Sequence, residues 1–298
     1  MMKCGTHSCD REVRIARALI CAVAFQLFLG TAHAQTDTMN SGNSSASVNY
    51  TIDNQQGFYN WTVDGVNQMN QQSFWYEIGG SGPAANIGSS PTSVSTTTTG
   101  NTLDVTYNYS QFSFSELYTL EGGTSGSGVS DVAETITINN TSSSALNFNL
   151  FQYTDINLLN TPNGQIVTLY QGGPRSLFNE AYQTAGNLAF VDSVNTPGAN
   201  YGEAAPVNTL LNLLNGSSFQ HLNDNATIGP TDAAYALEWD SSINAGGSQI
   251  ISEDLNMYAI PEPSSWTLVS AGLITLVVFR WYAGKLKNSM QSVHIVLA

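Results

Sequence analysis

A nucleophile with its base, or a metal centre, calls for histidine or cysteine, and the middle of this chain is almost free of both. Cys4, Cys9 and Cys21 all stand near the start, and between Gln35 and Ile260 there is one histidine, His221, in the run Ser217-Ser218-Phe219-Gln220-His221-Leu222. Zinc requires three or four His, Cys or carboxylate ligands, so one imidazole without a thiol argues against it. No Gly-x-Ser-x-Gly nucleophile turn is present, and Gly122-Gly123-Thr124-Ser125-Gly126 lacks the lysine of a phosphate loop and reads as a turn. A lone histidine beside a phenylalanine reads as a surface or packing residue. Two chemistries need only carboxylates. Glycoside hydrolysis could draw on Asp155, Glu180, Asp192, Glu238 or Asp240. Calcium could sit near Asn223-Asp224-Asn225 or Asp53-Asn54, although no stretch has the twelve-residue calcium-loop pattern. Two aromatic runs, Phe58-Tyr59-Asn60-Trp61 and Phe74-Trp75-Tyr76, make Trp61 and Trp75 candidate carbohydrate contacts. Strand alternation sets Trp75 opposite Phe74 and Tyr76; burial of both faces is the competing expectation, because aromatics fill β cores.

Charge narrows the field further. Of eight Lys and Arg, four precede Ala18 and three follow Phe279, leaving Arg175 as the only basic residue between Gln35 and Ile260. In that span 19 Asp and Glu stand against this one Arg, 1 − 19 = −18. Nucleic acid and anionic lipid surfaces are thereby disfavoured as partners of the body, since phosphate binding needs clustered cations. The acid excess serves solubility outside the cell, with cation attraction as the alternative.

The ends carry addressing signals. Lys3, Arg11, Arg14 and Arg17 precede the apolar run Ala18 to Gly30, and Ala32 and Ala34 supply the small residues of a cleavage site. Residues 1–34 are therefore expected to be a signal peptide cut after Ala34, and the mature chain to contain no cysteine. After Ile260 comes Pro261-Glu262-Pro263, a stiff extended tripeptide, and then the apolar stretch Ser264 to Phe279. Its 16 residues span about 24 Å at 1.5 Å each, slightly under a hydrocarbon core. Trp266 stands at one end and Trp281 with Tyr282 at the other, placed as interfacial anchors, while Arg280, Lys285 and Lys287 mark the cytoplasmic side. This predicts one transmembrane helix over 264–283, within a sorting region of 259–287 and followed by a tail of 288–298.

The Pro261-Glu262-Pro263 triplet, the apolar helix with Gly272 and the basic Arg280 directly after it resemble the PEP-CTERM sorting signal of Gram-negative bacteria. That resemblance implies an exosortase as partner, transient anchoring in the inner membrane, release to the cell surface or medium, and association with exopolysaccharide and biofilm matrix.

Between the signals the apolar period is two. Leu103, Val105, Tyr107 and Tyr109 alternate with polar residues, as do Ile136 with Ile138, Phe148 with Leu150, and Tyr235, Leu237 and Trp239. Gly, Asn, Ser and Pro clusters separate these runs, the signature of an all-β antiparallel sandwich. One domain over 48–258 is expected, with two abutting sandwiches as the alternative. Residues 35–47, poor in apolar side chains, are expected to be a disordered lead-in. Val207 to Leu214, after Pro206 and before Asn215-Gly216, is the one helix candidate of the body. The stretches Asp131 to Asp155 and Asp232 to Met257, each strand, small-residue turn, strand, resemble hairpins of immunoglobulin-like adhesive modules. The leading expectation is a non-enzymatic envelope or matrix protein, and the alternatives are a two-carboxylate carbohydrate-active enzyme and a carbohydrate-binding module.

Overall fold

The computed structural model describes residues 35–51, 57–260, 273–276 and 278–282. The expected signal peptide, Asp53-Asn54, Pro261-Glu262-Pro263 and the greater part of the expected membrane helix lie outside the described residues.

Strands are numbered in chain order. The first sheet runs β1 (Thr36–Ser41), β2 (Ser44–Asn49), β3 (Gly57–Val63), β5 (Met69–Ile78), β11 (Leu146–Ile156), β17 (Ala233–Ile243), β15 (Tyr201–Pro206), with β4 (Val66–Asn67) on β3 and β6 (Ala85–Asn86) on β5. The second runs β16 (Thr227–Thr231), β12 (Gln165–Gly172), β13 (Leu177–Ala185), β14 (Leu188–Thr196), β18 (Ser248–Ala259), β10 (Ser130–Asn140), β9 (Phe112–Gly122), β8 (Thr102–Asn108), β7 (Ser93–Thr99). The ladders are antiparallel, and the buried apolar residues of both sheets form one continuous cluster from Met39 to Met257. Two antiparallel sheets over a common core are consistent with the expected all-β sandwich. The predicted alternation holds: Leu103, Val105 and Tyr107 of β8 are fully buried between polar neighbours.

The expected disordered lead-in is instead β1 and β2. Met39 pairs with Ala46, Val48 pairs with Phe58 of β3, and all four are buried. A few apolar side chains at alternate positions suffice here, because sheet pairing satisfies the backbone while most of the Ser, Thr and Asn side chains stay at least partly exposed.

The two expected hairpins are also corrected. β10 lies in the second sheet and β11 in the first, and β17 lies in the first and β18 in the second. Each link is an arch crossing between sheets, and the arches stack because β10 pairs with β18 while β11 pairs with β17. Asn140 ties them together. Its buried Nδ2 donates to the carbonyls of Ser144, Ile243 and Asn244, its backbone N–H reaches Gly247 O, and its own carbonyl accepts from Gly246 N. Small-residue turns serve hairpins and arches alike, so the feature that carried the likeness to immunoglobulin hairpins does not distinguish them.

Helix α1 (Val207–Leu214) forms where expected and caps the outer face of the first sheet. Leu210 and Leu214 pack there with Trp75, Phe151, Tyr153, Ala234 and Ala236. Each fully buried leucine contributes about 2 kcal/mol. The alanines of β17 leave room for the helix to approach the sheet.

The core has a polar seam. Glu116 of β9, Glu134 of β10, Glu253 of β18 and Asp192 of β14 all point inward and are buried. Glu134 and Glu253 are direct cross-strand partners, Glu134 also faces Tyr118, and Glu116 lies one diagonal step away. From the first sheet Gln72 Nε2 donates to Glu134 at 3.0 Å, while Gln152 Nε2 and Tyr235 Oη reach Asp192 at 3.3 and 2.6 Å. Among the described residues no cation pairs with these carboxylates; the ion pairs belong to His221.

At the other end of the chain, residues 273–276 and 278–282 are helical, with Leu273, Ile274, Leu276, Phe279, Trp281 and Tyr282 exposed. Among the described residues no helix is long and apolar enough to cross a membrane.

Candidate functional site

The strand Ala234-Tyr235-Ala236-Leu237-Glu238-Trp239-Asp240 positions the site by alternation. Tyr235, Leu237 and Trp239 join the core between the sheets, which puts Ala234, Ala236, Glu238 and Asp240 on the outer face. Helix α1 covers the alanines. The chain then continues across the same face and lays His221 over Glu238.

Glu238 is fully buried and His221 is 45% exposed at its side chain. His221 Nδ1 lies 2.6 Å from Glu238 Oε1 and 3.9 Å from Asp240 Oδ2, and Leu222 N donates to Glu238 Oε2 at 2.9 Å. Burial raises the Glu238 carboxyl to about 7, against the opposing pull of the Leu222 N–H and the imidazole. The ring stacks on Tyr201 at 4.5 Å between centroids and meets the edge of Phe219 at 4.7 Å. His221 is thus more than a packing residue: its Nδ1 is hydrogen-bonded to a buried acid, and the opposite ring nitrogen is directed away from that acid. His221, Glu238 and Asp240 are close enough to ligate one ion. The 2.6 Å contact already satisfies the pair without one.

Asp240 also lines a cleft of about 440 Å³. β15 pairs with β17 only as far as Glu238, so Trp239 to Ile243 have no strand partner on that side. This free edge forms one wall of the cleft. Others come from Arg175 and Leu177 around the start of β13, Pro197 to Asn200 after β14, and Asn244 to Gln249 in the arch. Asn200 fixes the corner: its N–H donates to Glu238 O at 2.7 Å and its Oδ1 accepts from Asp240 N at 2.9 Å. Trp239 donates its indole N–H to Pro197 O at 2.9 Å and is almost fully buried, so it supports the wall and offers no broad stacking face.

The remaining expected residues are dispersed. Trp61 is fully buried, donating to Ser130 Oγ at 3.0 Å, and Trp75 lies beneath α1 with its indole N–H on Asn215 Oδ1. Neither exposes a ring face to a sugar, because Trp61 lies in the core between the sheets and Trp75 packs under α1. Of the candidate hydrolytic carboxylates, Asp192 is in the interior seam. Asp155 is buried beside Asn70 and Tyr153, with burial raising its carboxyl to about 6. Only Glu238 and Asp240 come together. The candidate calcium run Asn223-Asp224-Asn225 instead clamps β15: Asn223 donates to Glu203, Asp224 accepts from Gly202 N, and Asn225 donates to Ala204 O. Sequence inspection missed the cleft. Its traces were the continuation of an alanine face into Glu238 and Asp240, and the solitary Arg175.

No protein-family model and no curated protein matches the chain. Among solved structures it resembles a bacterial glucoamylase complexed with acarbose, with a TM-score of 0.50, 8% identity and 78% of this chain covered. The chain spans about a third of that structure, 34%. A galactose mutarotase-like protein from Clostridium acetobutylicum aligns at a TM-score of 0.46 and 8% identity, over 76% of this chain and 96% of that one. The glucoamylase likeness is one of fold.

Proposed function

We propose that this chain is an exported, envelope-associated protein whose β-sandwich body binds carbohydrate in the cleft beside β17 without cleaving it. The observation that carries this reading is the cleft itself, where Asn200, Ser241, Ser242, Asn244, Ser248 and Gln249 offer amide and hydroxyl groups along an unpaired strand edge. Hydroxyl-rich ligands need such mixed donors and acceptors. The volume, about 440 Å³, suits a few sugar units. The sandwich also occurs in a structure whose protein is a carbohydrate-active enzyme, which is support at the level of fold only.

Hydrolysis by two carboxylates is disfavoured by access. Asp240 is the one carboxylate lining the cleft, and its neighbour Glu238 is fully buried and held by His221 and Leu222. A second reading rests on the His221–Glu238 pair, whose exposed ring could act as acid or base on a bound sugar. Export and sorting rest on the residues that resemble the PEP-CTERM signal, and the exposed apolar side chains of 273–276 and 278–282 are in keeping with a segment made for a different environment. Exosortase and exopolysaccharide follow from that resemblance alone.

The test is an oligosaccharide array probed with the full chain in detergent, with released sugars measured in parallel. Binding without turnover is expected, and Ser242→Trp, which fills the cleft from an exposed position, should weaken binding by about tenfold or more. Binding unaffected by Ser242→Trp would place the ligand elsewhere, and turnover abolished by His221→Gln would establish the second reading.

A further inference from the structure

We infer that the cleft selects a sugar bearing a carboxylate, read by Arg175; this rests on the carbohydrate-binding reading above and names its ligand class. Arg175 is the only Lys or Arg among the 226 residues from Gln35 to Ile260, which hold 19 Asp and Glu. In such a field an exposed guanidinium has many carboxylates available to pair with. It pairs with none: the ion pairs among the described residues are those of His221. Arg175 instead lies exposed between β12 and β13, lining the cleft beside β17. A guanidinium has five donors in a planar fork and no acceptor, so the group it fits best is a planar carboxylate taken bidentately. The rest of the lining, Asn200, Ser242, Asn244 and Gln249, suits the hydroxyls of the same or adjoining sugar units.

Charge also limits the length of the acidic stretch. A body at −18 repels a polyanion, and that repulsion is screened beyond about 8 Å at physiological ionic strength. One acid group held against Arg175 has its cation to offset the repulsion of Asp240, the one carboxylate of the lining; a run of acid groups lying over the surrounding surface has none. The ligand is therefore an isolated uronate among neutral sugars, or a terminal one, rather than a polyuronate.

The test uses the full chain in detergent and calorimetric titration with two probes: the tightest neutral oligosaccharide from the array and its counterpart with one C6 hydroxymethyl oxidised to a carboxylate. The oxidised sugar should bind about tenfold tighter, as expected for a charge-assisted pair. Arg175→Gln should erase the preference, so that the two sugars bind alike, and Arg175→Lys should keep part of it. Equal binding of the two sugars by the wild type, or a preference that survives Arg175→Gln, would overturn the inference and leave carbohydrate binding standing. If the wild type binds neither sugar, the carbohydrate reading falls first and this inference with it. Arg175 is exposed in a turn, so equal melting temperatures should accompany all three forms.

Discussion

Asn140 and His221 are single side chains whose contacts determine what a larger region can do. Asn140 donates from one buried amide to three carbonyls belonging to two arches. Asn140→Ala leaves those carbonyls short of a donor and should cost about 3 kcal/mol in urea unfolding, and Asn140→Asp, which sets an acceptor against acceptors, at least as much. A loss below about 1 kcal/mol would mean that water replaces the amide without penalty. His221 was visible in the sequence as the sole imidazole of the body, yet its partner was not. The link between His221 and Glu238 crosses 17 residues and depends on how the chain after α1 returns over the sheet. Local pattern carries no signal for such a return.

Single strands are legible in the sequence through their alternation. The alternation that marks β8, β10, β11 and β17 also sets an acid in the apolar phase of four strands: Phe114-x-Glu116-x-Tyr118, Val132-x-Glu134-x-Ile136, Phe190-x-Asp192-x-Val194 and Ile251-x-Glu253-x-Leu255. Read strictly, the phase places each carboxyl in the core. What the sequence could not show is that the four strands are neighbours, in the order β9, β10, β18, β14, so that their acids form one seam. Burial raises Glu116 to about 8 and Asp192 to about 7, and it raises Glu134 and Glu253 well above the usual carboxylate range, with the neighbouring acids adding to the rise. Protonated, these groups carry O–H donors in a seam where buried oxygens lack one, among them Gln72 Oε1 and Gln152 Oε1. Unfolded carboxylates release their protons near pH 4 to 4.5, so from about pH 5 to 8 the folded chain holds more protons than the unfolded one. The resulting stability is fully present on the acid side and is lost as pH rises through the folded pKa values. The melting temperature should therefore fall steadily from pH 5 to pH 8, and Glu134→Gln, uncharged at every pH, should flatten the fall. A melting temperature that rises across this range would show that the seam is neutralised by something other than protons.

For the whole molecule, composition and the two termini carried the expectations that local pattern could not. The absence of clustered bases in the body, the all-β architecture and the helix at Val207–Leu214 were readable because each depends on residue type and period alone. The arches, the pairing of β1 and β2 into the sheet and the cleft at the end of β15 depend on which strands meet, which is settled by the packing of one common core. Sorting belongs to this scale as well. In a host with an exosortase, the intact mass of the mature protein should correspond to a chain ending near Pro261-Glu262-Pro263, and a mass retaining residues through Ala298 would indicate a plain membrane anchor. The central claim is that carbohydrate occupies the cleft beside the free edge of β17. Hydrogen exchange of the full chain in detergent, with and without the tightest oligosaccharide, tests it most directly. Slowed exchange at Gly198 to Asn200 and Ser241 to Gln249, with the outer strands β7 and β8 unchanged, is the predicted result; a bound sugar that leaves these amides unaltered, or protects a different face, would contradict it.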